Sequence, residues 1–110
     1  MPVHPEPVPL AVAETAHVWT DGVYVIWACS ASGRIPIDVG ESENLGMRLR
    51  GHPRKREWEA RIAGLPFALM VSVHPTPPST PDRQRHRLDV ERSWRSQYRQ
   101  QGYSLCGIRP

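Results

Sequence analysis

Proline placement constrains this chain more than any other feature. Twelve of the 110 residues are proline. Each fixes its own φ and removes a backbone donor, so none belongs inside a helix or a central strand. They crowd the N-terminus (Pro2, Pro5, Pro7, Pro9) and the segment 75–81, and the rest stand singly. They therefore punctuate a core. The N-terminal spacing disfavours helix and predicts an extended, flexible tail over residues 1–16, with order beginning near His17. Residues 17–110 are expected to form a single domain, because this length holds one core and no second.

Between the prolines, GVYVIWA at 22–28 is β-branched and aromatic and predicts a strand. Val23, Val25 and Trp27 then face one way, and Tyr24 and Ile26 the other. The turn signal at 30–34 and a second strand over Ile35–Val39 complete a hairpin. Ser42 is a suitable N-cap for a helix over 43–51, and a second helix spans Arg54 to Ala63. FALMVSVH at 67–74 is the third strand. Thr80 as N-cap and Pro81 at the first helical position open a long helix that runs to about Gln101, with Leu88, Trp94 and Tyr98 inward. The expected fold is α+β, a small three-stranded antiparallel sheet flanked by helices in the order β-β-α-α-β-α. The four tryptophans, Trp19, Trp27, Trp58 and Trp94, read as core or rim residues rather than stacking platforms.

Charge narrows the classes of partner. Residues 1–40 hold one basic residue and four acidic ones, a net of −3; residues 41–110 hold thirteen basic and seven acidic, a net of +6. Lys55 is the only lysine and every other cation is arginine, whose planar fork of donors suits phosphate oxygens. A polyanion partner follows as an expectation. No apolar run approaches the ~20 residues that span a bilayer, so no membrane partner is expected. The first residues lack the basic flank and apolar segment of a secretory signal. Cys29 and Cys106 form no CxxC pair or disulfide framework. A reducing, cytoplasmic setting is the expectation.

Gly22-Val23-Tyr24 on the first strand and Asp38-Val39-Gly40 on the second, followed by Arg48, His52 and, on the last helix, Glu91, resemble the GIY-YIG nuclease superfamily. The resemblance covers about residues 20–107. It implies an endonuclease that hydrolyses DNA phosphodiester bonds with Mg²⁺ or Mn²⁺. Tyr24 then takes part in activating the nucleophile, and Glu91 binds the metal. Arg48 and His52, at i,i+4, are expected to share one helix face. Arg48 would stabilise the charge of a pentacoordinate transition state, and His52 would orient a water or hold Tyr24 through a hydrogen bond.

Asp38 departs from the pattern, where the family has tyrosine. Three readings stay open: a second metal ligand beside Glu91, the base itself, or the mark of a lineage that has lost cleavage. The last makes the chain an inactive module that binds nucleic acid or protein; a hydrolase acting on another phosphate ester is a third class. The family's asparagine after the final helix is also absent, where this chain reads Gly102-Tyr103-Ser104. Arg50, Arg54, Lys55 and Arg56 are expected to hold the nucleic-acid backbone without sequence preference and with strong salt dependence. A partner protein or a homodimer would then supply targeting.

Overall fold

The computed structural model describes residues 4–107. Its elements are β1 (Val8–Pro9), α1 (Leu10–Ala16), β2 (Gly22–Ser30), β3 (Gly33–Ser42), α2 (Leu45–Arg50), α3 (Lys55–Ile62), β4 (Ala68–Pro75) and α4 (Arg83–Gln100). The strands form one antiparallel sheet in the order β1-β4-β2-β3. The sheet thus has four strands rather than three. Among the described residues no helix is long and apolar enough to cross a membrane.

The fourth strand comes from the segment expected to be a tail. Val8 pairs with Val71 and Pro9 with Met70, and Ala13 of α1 is fully buried. Order therefore begins well before His17, and only residues 1–3 of that expectation lie outside the described residues. The prolines permit this because β1 is an end strand, where a missing N–H costs no ladder bond. Pro9 then precedes α1 with a φ of −58°, already close to helical. The following LAVAETA is rich in alanine, the best helix former.

Alternation along β2 sorts its side chains as the pattern predicts. Tyr24, Ile26 and Ala28 pack with Ala13, Leu45, Leu49 and Trp58 of α1, α2 and α3. Val23, Val25 and Trp27 pack with Val39, Tyr98 and Leu105, joined by Val90 and Trp94 of α4. Each face of the sheet therefore has its own core. The β2–β3 register shifts between Ile26 and Trp27: Trp27 pairs with Pro36, but Ile26 pairs with Asp38. Ile37 is the extra residue of a bulge, which turns Asp38 and Gly40 onto the face of Tyr24. At the far side of β3, the carbonyls of Ile37 and Val39 accept from Cys106 N and the Arg95 guanidinium, so this end strand presents few free edge groups.

Helix α4 starts later than expected. Asp82, not Thr80, is its N-cap and accepts from Arg85 N at 3.0 Å. The Thr80 hydroxyl instead donates to Pro77 O within the preceding turn.

His4 anchors the first described residues to the α4 face. Its Nδ1 lies 2.8 Å from His74 Nε2, and its Nε2 meets the Tyr98 hydroxyl. Burial, then the neighbouring His4, push His74 down to about 4 from an ordinary 6.5. His52 is likewise pushed down to about 4, by burial and then by Arg54 and Arg48. Both are neutral in the fold but take up protons near 6.5 once unfolded. Stability is thus intact above pH 6.5 and falls steadily as the pH drops towards 4. The expected loss is about 2 kcal/mol for each histidine. Urea midpoints measured between pH 7 and 4 check this, and a flat profile contradicts it.

Candidate active site

Tyr24 pairs with Gly40 across the β2–β3 ladder, and its ring lies directly over that glycine. A Cβ at position 40 would sit 2.2 Å from the phenol oxygen. Only glycine leaves room for the ring, which gives the glycine of the Asp38-Val39-Gly40 triplet a physical purpose. Gly40→Ala is expected to displace Tyr24 and cost about 1–3 kcal/mol of overpacking. Thermal unfolding beside the wild type checks it; an unchanged midpoint would mean that the ring has room to yield.

The Tyr24 oxygen lies 2.6 Å from His52 Nε2. The other ring nitrogen, Nδ1, accepts from Arg54 N–H at 3.0 Å. A backbone N–H can only donate, so the neutral imidazole carries its proton on Nε2 and donates to Tyr24. Burial, then the Asp38 carboxylate, hold the Tyr24 phenol well above its ordinary range, partly opposed by Arg54 and Arg48. The resting pair is a neutral phenol and a neutral imidazole.

His52 does not share a helix face with Arg48. Helix α2 ends at Arg50, after which the chain folds His52 under the sheet beside Trp58, with ring centroids 4.5 Å apart. Arg48 stays exposed on α2. It lines an open cavity of about 540 Å³ with Asp21, Glu41, Ser42, Glu43, Arg83, Gln84 and Arg87. Its charge nevertheless reaches both Tyr24 and His52.

Asp38 is 0% exposed and its carboxylate is fully engaged. Oδ2 accepts from Arg54 Nε at 2.8 Å and from the Trp58 indole at 2.7 Å. Oδ1 accepts from Arg95 Nη2 at 2.6 Å and from Val39 N at 2.9 Å. A second metal ligand or a base needs a lone pair facing the reaction, and these donors occupy the oxygens from within the core. The structure places Asp38 as the anchor of two arginines. Arg95 also donates to Cys106 O and stands 4.0 Å from Glu91, one helical turn earlier.

Glu91 is partly buried on α4, with its side chain 24% exposed. Burial raises its affinity for a proton; Arg95 only partly opposes this, and Glu41 and Asp38 add to it. Arg54 also opposes the rise, and the cavity that Glu91 lines holds Arg92, Arg95 and Arg99 as well. Among the described residues no group of three or more His, Cys, Asp or Glu side chains is gathered to hold a metal. One carboxylate with waters can suffice for Mg²⁺, and Glu91 is, among the described residues, the one carboxylate lining its cavity, which is not the cavity that Arg48 lines.

The expected backbone-binding residues divide. Arg54 points inward to Asp38 rather than along an outer track. Lys55 Nζ is 3.2 Å from Glu14 Oε2, and Arg50 lies 4.0 Å from the same carboxylate while keeping 64% of its side chain exposed. Arg56 is exposed. Sequence reasoning missed Glu14, Trp58 and Arg87 as site neighbours. Arg87 is buried between Asp21 and Glu41, at 2.6 and 2.8 Å, and ties α4 to β3 and to the loop that leads into β2. No local pattern marks these three, since each partner is distant in sequence.

A scan against family models finds no match, and searches of curated proteins and of solved structures find none either.

Proposed function

We propose that this chain is a divalent-metal-dependent endonuclease of the GIY-YIG type, hydrolysing DNA phosphodiester bonds. The observation that carries the reading is the 2.6 Å contact between Tyr24 and His52, just past the end of the helix that exposes Arg48. These residues come from two separate segments and combine a hydrogen-bonded phenol–imidazole pair with an exposed cation. Arg48 binds a non-bridging oxygen and stabilises the charge that develops on phosphorus. His52 Nε2–H holds the Tyr24 oxygen from below, so the phenol keeps its own hydrogen to donate to the attacking water and orient it, and the proton that water loses passes to solvent. Glu91 is the candidate carboxylate for the ion, which when bound would supply Lewis-acid stabilisation of the leaving oxygen. Asp38 takes no part in the chemistry; it fixes Arg54 and Arg95 beneath the site.

The inactive binding module is the second reading. It is favoured by the burial of Tyr24, which is 1% exposed. Plasmid nicking with Mg²⁺ or Mn²⁺, wild type beside Glu91→Gln, separates the two. Conversion of supercoiled to nicked DNA by the wild type alone supports the nuclease. Equal background in both proteins, or none in either, overturns it. Salt-sensitive DNA binding without cleavage favours the module.

A further inference from the structure

Trp19 is 77% exposed, in contrast to the half-buried or buried Trp27, Trp58 and Trp94. Its exposure is built into the fold. The turn that carries it is closed by Thr20 N to His17 O at 3.1 Å and by His17 Nδ1 beside the Thr20 hydroxyl at 3.0 Å. The turn is then fastened to α2, where Leu45 N donates to Thr20 O and Gly46 N to His17 O, both at 2.8 Å. A Cβ at Gly46 would lie 2.7 Å from Val18 backbone atoms, so helix and turn meet at glycine-only separation. The backbone that carries Trp19 is therefore held at the surface by these contacts. Met47, next along α2, is 52% exposed. The same short helix carries Arg48 and Arg50, and Asp21, just past the turn, lines the cavity that Arg48 enters.

We infer that Trp19 is a stacking platform for an unpaired base of a DNA strand whose backbone runs across Arg48 and Arg50. A solvent-facing indole on a turn fastened to a helix that exposes arginines matches the two parts of single-strand recognition, an aromatic face for the base and cations for the phosphates. A fully paired duplex keeps its bases within the stack and offers the indole little. The site therefore selects frayed, flapped or gapped DNA over intact duplex. This rests on the nuclease reading for the identity of the ligand, and it adds a preference among substrates.

The test is metal-free fluorescence anisotropy with a labelled single-stranded oligonucleotide and its matched duplex. The wild type, Trp19→Ala and Trp19→Phe are compared over a salt series. Trp19→Ala is expected to weaken single-strand binding by about 5- to 150-fold, with Trp19→Phe restoring most of it. Duplex affinity and the salt slope stay near wild type, because no cation is removed. Single-strand affinity unchanged in Trp19→Ala overturns the inference, as does an equal loss for duplex. A dimer that Trp19→Ala converts to monomer, seen by light scattering, also overturns it and makes the patch a self-association surface. Plasmid cleavage without Trp19-dependent binding defeats this inference alone. Trp19-dependent binding without cleavage defeats only the nuclease reading, and no binding by the wild type at low salt defeats both.

Discussion

Asp38→Ala is expected to lose about 3–5 kcal/mol of stability, the usual cost of breaking a buried charge pair from one side. One carboxylate here serves two guanidiniums and an indole N–H. Its removal leaves Arg54 and Arg95 charged and partly desolvated, with only Glu91, 4.0 Å from Arg95, as compensation. Asp38→Asn keeps the shape and retains one acceptor oxygen, so it should lose less than alanine while still exposing the charge imbalance. Asp38→Tyr, which completes the sequence resemblance to the GIY-YIG pattern, should fare no better than alanine, because a phenol cannot neutralise two arginines. Urea denaturation of the three variants measures this. A midpoint for Asp38→Ala within error of wild type would falsify the anchoring role.

Arg48→Ala should instead leave stability within about 0.5 kcal/mol of wild type, as exposed substitutions usually do, and lower cleavage by about 10²–10³-fold. The same residue lines the cavity and influences the Tyr24–His52 pair from outside. Arg48→Lys should recover part of the rate, since a point charge replaces a two-pronged donor. Single-turnover nicking under saturating DNA separates a lost transition-state contact from weaker binding. A full rate for Arg48→Ala removes the phosphate-binding role and with it the catalytic assignment. The contrast between the two positions is informative: the Asp38 variants test the fold, and the Arg48 variants test the proposed reaction.

What could be read from the sequence was whatever repeats locally. Strand β2 and its two faces follow from period-two alternation, and Gly102 closes α4 as a terminal glycine does, at a φ of 95°. The first strand was hidden because two residues have no period, and Val8 finds its partner at Val71. Glu14 looked like part of a tail, yet it holds Lys55 of α3. Arg54 sits in a run of cations that reads as an outer track, but its charge turns inward to a residue sixteen positions earlier. The same limit applied to Asp38. Its residue type allowed metal binding, base chemistry or decay; a structural role appears only once Trp58 and Arg95 are brought alongside.

The bulge at Ile37 makes the β2–β3 hairpin sensitive to parity. Counted back from the turn with Ile37 kept in the ladder as an ordinary residue, Tyr24 would meet Val39, and Asp38 would face the other side of the sheet. The two triplets would still be present in the sequence, each spelled as before. Their chemistry would nonetheless be gone, since Gly40 would no longer make room for the phenol and the two arginines would lose their common carboxylate. The separation between the triplets is therefore a matter of how each residue is absorbed as much as of length. Two residues added one to each strand conserve the site, and a single added residue conserves it only where a bulge takes it up, as at Ile37.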